Sequence, residues 1–314
     1  MNEELIQKAL SSNNKAKITE TLFALERNGD LSHLKIIMAQ SKRFEEKDLK
    51  QYCYKAASSI IKRGLINDYT KFDEHMRKSL LDILQTIDPQ VVKNFSEELK
   101  SENDLKRLNV VKVLGLLGKD SRIKDVVKTV SKDKSEKVRA TAISLMRYMP
   151  EMVSVEVLLG LMKDKDKRVV ANCIEVIEAL LCEKFISSLQ EFKKDENNRI
   201  RANALKALWK TGINEDGVYR GLNQMINDKD NHLMRASACW VIGECATQDD
   251  DVFIDLLVKC LDDKEKLVRE NMIKALLKIG GKAKDQYLDM IDPDELETMR
   301  KIMAGIKPGK RVEL

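Results

Sequence analysis

Apolar residues along this chain come in clusters spaced by three and four, separated by short polar turns, and the clusters themselves recur. A phrase of the form apolar-Arg-Ala-small-Ala stands at 138–142, 200–204 and 234–238. Val268-Arg269-Glu270-Asn271-Met272 varies it, and Val169-Val170-Ala171-Asn172-Cys173 is a degenerate copy. With the residue before the arginine as position zero, the series runs Lys106, Val138, Val169, Ile200, Met234 and Val268, in steps of 31 to 34 residues. Position four then holds Val110, Ala142, Cys173, Ala204, Ala238 and Met272; position seven holds Val113, Leu145, Val176, Ala207, Val241 and Ala275; position eight holds Leu114, Met146, Ile177, Leu208, Ile242 and Leu276. At about 100° per residue these columns share one arc of a wheel, so each phrase predicts an amphipathic helix with one buried side.

Gly118, Pro150, Gly212 and Gly280 all fall at position twelve, where they stop a helix. A second helix is expected in each unit, over 122–131, 153–162, 184–192, 217–226 and 252–261. Helix, turn, helix at a fixed period predicts an all-α solenoid, because no single unit buries its apolar face alone. Upstream the pattern weakens: Met76-Arg77 with Leu80, Leu81 and Leu84 fits one unit, 52–61 another, and 15–25, ending near Asn28-Gly29, an earlier helix. Downstream, Asp292-Pro293-Asp294 caps a last helix over 295–306, followed by a basic tail from Lys307 to Arg311. The expected organisation is one continuous solenoid of about eight or nine helix pairs: divergent repeats over 1–100, regular repeats over 101–280, and a capping helix with basic tail over 281–314. Terminal units diverge because one face of each meets water.

The acidic turn, Val-Arg-x-x-Ala, Leu and terminal Gly resemble HEAT repeats of the short bacterial and archaeal type, well over 101–280 and weakly on the flanks. Val170 in place of arginine and Lys106 in place of the apolar starter depart from that pattern. The resemblance implies that the phrase helices line a concave groove. Position one carries Arg107, Arg139, Arg201, Arg235 and Arg269, with Asp133, Asp195 and Asp263 a few residues before three of them. An architectural ladder, in which Asp caps a helix start and arginine pairs across the stack, is the favoured reading over a ladder for phosphates. Position three reads Asn109, Thr141, Asn172, Asn203, Ser237 and Asn271. Short polar residues there either permit close helix packing or, by analogy with armadillo solenoids, hold a partner's backbone.

Position six lies near the centre of the polar face and reads Lys112, Ser144, Glu175, Lys206, Trp240 and Lys274; position nine beside it reads Gly115, Arg147, Glu178, Trp209, Gly243 and Leu277. Trp240 interrupts an otherwise polar column, and an exposed tryptophan is a typical binding anchor. Trp209 in the adjacent repeat extends it into one apolar patch, unless either ring folds over a neighbour near Gly243 or Ala207. Lys206, Lys210, Lys274 and Lys278, with Glu178, Glu244 and Arg147, form the charged surround. The expected function is therefore a non-enzymatic scaffold or adaptor that clamps a partner's helix or extended segment, with tryptophan as anchor and charge as rim.

Composition adjusts this picture only slightly. The net charge of +5, from 56 Lys+Arg against 51 Asp+Glu, disfavours without excluding a nucleic-acid cradle, in which Trp stacks bases and lysines meet phosphates. HEAT-like DNA glycosylases use concave tryptophans and a carboxylate, so Trp240 with Glu244 keeps excision of alkylated bases as an alternative; a HEAT-type bilin lyase is a more distant one. The three histidines, His33, His75 and His232, share no metal or nucleophile spacing, no Gly-rich phosphate loop occurs, and no cofactor, metal or small-molecule substrate is expected. None of the six cysteines forms a Cys-x-x-Cys pair, so they read as small core hydrophobes in a reducing compartment. No 18-residue apolar stretch is present and the first residues are polar, which predicts a cytoplasmic protein without a membrane partner.

Overall fold

The computed structural model describes residues 3–117, 122–180, 183–212 and 215–305, which form nineteen α-helices, five short 3-10 turns and no strand. Packing divides the chain into two compact units, Met1–Val157 and Leu158–Leu314. The first contains α1 (Glu3–Leu10), α2 (Lys15–Asn28), α3 (Leu34–Arg43), α4 (Lys47–Asn67), α5 (Glu74–Ile87), α6 (Val91–Glu97), α7 (Asp104–Leu116), α8 (Ile123–Val130) and α9 (Glu136–Met146). The division falls within α10 (Val155–Leu161). The second continues with α11 (Lys167–Leu180), α12 (Ile186–Phe192), α13 (Asn198–Lys210), α14 (Glu215–Ile226), α15 (His232–Cys245), α16 (Asp251–Val258), α17 (Lys266–Ile279), α18 (Gly281–Leu288) and α19 (Pro293–Met303). The boundaries expected near residues 100 and 280 mark changes in repeat regularity, whereas the packing division lies between them. Gly118, Cys182 and the tail from Lys307 to Arg311 lie outside the described residues.

The phrase helices pack in chain order, α7 on α9 in the first unit and α11, α13, α15 and α17 successively in the second. Columns four, seven and eight form the core: every member is buried except Leu145, which is half-buried. Leu145 leans over Gly115, where an added Cβ would lie 2.6 Å from its Cδ1. Lys106, the polar starter, is exposed. Gly212 and Gly280 take the positive φ values, 65° and 73°, that glycine adopts without a Cβ penalty when a helix ends. Cys53, Cys173, Cys239 and Cys260 are free thiols within the core, as expected of small hydrophobes.

Arginine at position one ties three of the repeats to the next. Arg107 grips Asp133 through Nε and Nη2 at 2.8 and 2.9 Å, Arg235 grips Asp263 at 2.6 and 2.9 Å, and Arg269 grips Glu295 at 3.2 and 2.5 Å. The remaining Nη1 donates to carbonyls in the turn before the arginine's own helix, as from Arg235 to Asp228 O at 2.7 Å. Each Asp also accepts a backbone N–H in its turn, Ser135 on Asp133 and Glu265 on Asp263. The guanidinium thus bonds a carboxylate bidentately, a stronger and more directional contact than a simple ion pair. Arg201 breaks the series: its Nη2 donates to Gln224 Oε1 at 2.8 Å, its buried Nε has no partner, and burial lowers its pKa.

Candidate functional site

Three phrase helices of the second unit present corresponding stripes, each following the period of three and four that keeps residues on one side of a helix. On α13 the stripe is Arg199, Asn203, Lys206 and Lys210; on α15 it is Leu233, Ser237, Trp240 and Glu244; on α17 it is Leu267, Asn271, Lys274 and Lys278. Asparagine at position three fastens these helices together. Asn203 Nδ2 donates to Ala171 O on α11 and Asn271 Nδ2 to Ala236 O on α15, each at 3.1 Å; Asn198 Nδ2 reaches Ser237 Oγ at 2.8 Å. The position-three amides therefore do more than leave space: they spend donors on the preceding helix that an armadillo-like ladder would offer to a partner.

Trp240 is 37% exposed on α15. Lys206 Nζ lies 4.8 Å from its ring centroid, within cation-π range, and 3.0 Å from Glu178. Lys210 reaches the same carboxylate at 2.6 Å, so the buried Glu178 is shared between two lysines. Burial is the largest influence on the Lys210 pKa and would lower it, but the hydrogen bond to Glu178 and the attraction of the surrounding negative charge together raise it. Glu244, one turn beyond Trp240, is bonded to Lys278 at 2.6 Å. Lys274 is half-buried and has no acidic partner among the described residues.

The two tryptophan rings have different neighbours. Trp209 stacks on Phe253 of α16, with ring centroids 4.0 Å apart and planes 30° apart, and Tyr219 of α14 meets Phe253 edge-on at 5.8 Å. Its column is a packing column at two further positions, because a Cβ on Gly243 would lie 2.7 Å from Ala275 Cα and one on Gly115 would strike Leu145. The space over Gly243 is thus occupied by the α17 backbone. Arg147 belongs to the first unit, where its guanidinium lies 4.8 Å over the exposed Tyr148 ring.

Two further large apolar side chains are exposed on α15 and α17. Leu233 and Leu267 are 43% and 42% exposed and occupy the column immediately before position zero. That column reads Leu105, Lys137, Arg168, Arg199, Leu233 and Leu267. On the wheel it lies about 20° from position six, so extending the register one residue upstream would have found it.

Among the described residues no group of three or more His, Cys, Asp or Glu is placed to hold a metal ion, and no helix is long and apolar enough to cross a membrane. Among curated proteins, none matches this sequence. The family model for HEAT repeats matches residues 92–178 and 123–209. A solved structure of Kap121p superposes with a TM-score of 0.51 at 11% identity, covering 96% of this chain and 39% of that one. The karyopherin Kap121p bound to the extreme C-terminus of the protein phosphatase Cdc14p gives 0.50 at 12%, over 96% and 41%. A structure in which Kap95p binding moves the switch loops of RanGDP to the GTP-bound conformation gives 0.50 at 11%, over 96% and 47%. At these identities the likeness is one of fold, and the chain spans less than half the length of each. The repeat register, the all-helical structure and the matched family model together identify residues 92–209 as HEAT repeats.

Proposed function

We propose that this chain is a non-enzymatic interaction scaffold that binds a partner protein along the phrase-helix face of its second unit, with Trp240 as the central anchor. The observation behind this reading is a tryptophan left more than one-third exposed among charged and small polar side chains, its ring steadied by Lys206. A ring in that setting gains most from burial against a second surface, and the surrounding charges form a polar rim. The fold supports the reading by likeness, since Kap121p and Kap95p are named with protein partners. Trp209 serves this reading indirectly, fixing the end of α13 and hence Lys206 and Lys210. The Trp240 and Glu244 pair lends little to base excision, because Glu244 is engaged by Lys278.

Affinity capture from native lysate tests the proposal. Trp240→Ala should lose a partner that the wild-type protein retains, while its helical circular dichroism stays unchanged. Retention of every wild-type partner by a folded Trp240→Ala protein would refute it.

A further inference from the structure

We infer that the face formed by α13, α15 and α17 takes an acidic peptide segment with two apolar anchors about 10 Å apart. This rests on the scaffold reading above and specifies the chemistry of its partner. Leu233 and Trp240 are seven residues apart on α15, about 10 Å along a helix axis. Leu267 occupies on α17 the repeat position that Leu233 occupies on α15, so the two leucines mark one end of the patch and the tryptophan the other. All three are large apolar side chains left substantially exposed on one face, an arrangement that marks interaction sites on soluble domains.

Charge selects the partner's sign. Four lysines, 206, 210, 274 and 278, border the apolar patch, against two carboxylates, Glu178 and Glu244. Glu178 is shared and Glu244 is matched by Lys278, so two positive charges are left over, one of them on half-buried Lys274. The other cations nearby are balanced: Arg199 by Glu175 at 2.8 Å, and Lys266 by Glu270 at 3.9 Å. A carboxylate entering beside Trp240 meets Lys274, which no acidic side chain engages among the described residues, with Lys206 nearby sharing Glu178 with Lys210, whereas a basic segment meets uncompensated repulsion. A nucleic-acid strand would use the lysines but leave Leu233 and Leu267 idle, with a single aromatic ring on which to stack.

Selection from a random peptide display library on the purified full chain tests this, with the best binder then titrated by fluorescence polarisation. Enriched peptides should be net acidic with two apolar residues at the stated spacing. Lys274→Glu should weaken the binder about tenfold and Trp240→Ala at least about thirtyfold, with Leu233→Ala as a second, milder probe of the same patch. Enriched peptides that depend on Trp240 but are neutral or basic would overturn the acidic assignment and leave the scaffold reading intact. Absence of any Trp240-dependent peptide would overturn both. Displacement of the peptide by a single-stranded oligonucleotide whose own binding is lost in Trp240→Ala would replace a protein segment by nucleic acid as the occupant.

Discussion

At the residue scale the two tryptophans separate by the work their rings do. Trp209 is pinned by Phe253, so Trp209→Ala should destabilise the protein by about 2 kcal/mol or more in urea denaturation, toward the range for aromatic truncation in cores. Trp240→Ala should change stability by only about 0.5 kcal/mol, as for an exposed position, while removing binding. Equal losses in the two variants would contradict this division. Gly243 gives a third contrast, since an added methyl meets the backbone of α17 rather than a movable side chain tip. Gly243→Ala should therefore cost about 1–3 kcal/mol by the same measurement, the range for overpacking. From the sequence Trp240 breaks an otherwise polar column and Trp209 stands in a mixed one with Leu277, but neither column names the ring's neighbours. What distinguishes them is Phe253, 44 residues after Trp209 on a second-row helix, and no helical period reports that neighbour.

At the element scale the repeats are joined by position-one arginines and position-three amides, not by apolar packing alone. Removing one partner from a buried bidentate pair leaves the other unpaired, so Arg235→Ala should cost about 3 kcal/mol. Arg201→Ala should cost clearly less, because Arg201 has no carboxylate to orphan and already holds an unpartnered Nε; urea melts of the two variants compare them. The Arg235 hydrogen bond holds the Asp263 carboxyl below the usual carboxylate range. A carboxylate depressed in the folded state contributes stability that is fully present above its unfolded pKa, near 4, and is lost as pH falls through the folded value. The stability gap between wild type and Asp263→Asn should therefore be constant above about pH 5 and close on acidification. The arginine column and its acidic partners were legible in the sequence, because a charge that recurs in nearly every unit is architectural. Which carboxylate each arginine takes was not, since Arg107 passes over nearby acids to reach Asp133 in the next turn. The asparagine donors were also hidden, because a side chain that bonds backbone leaves no partner residue type to find.

At the scale of the whole molecule, period and burial agree closely. Val138, Val169, Ile200, Met234 and Val268 are all buried, and so are the members of columns four and eight. The packing division within α10 left no such trace, because the phrase continues across it from Val138 to Val169 without a break in spacing. The interaction face was half legible: Trp240 announced itself against a polar column, while Leu233 and Leu267 lay one residue upstream of the phrase. The most direct test of the scaffold account is site-specific photocrosslinking in native lysate, with benzoylphenylalanine placed in turn at Leu233 on the phrase face and at exposed Asp255 on α16. The account predicts a discrete protein adduct from position 233 that disappears in the Trp240→Ala background, with none from position 255. Adducts of equal yield from both positions, or an adduct at 233 that survives Trp240→Ala, would contradict it.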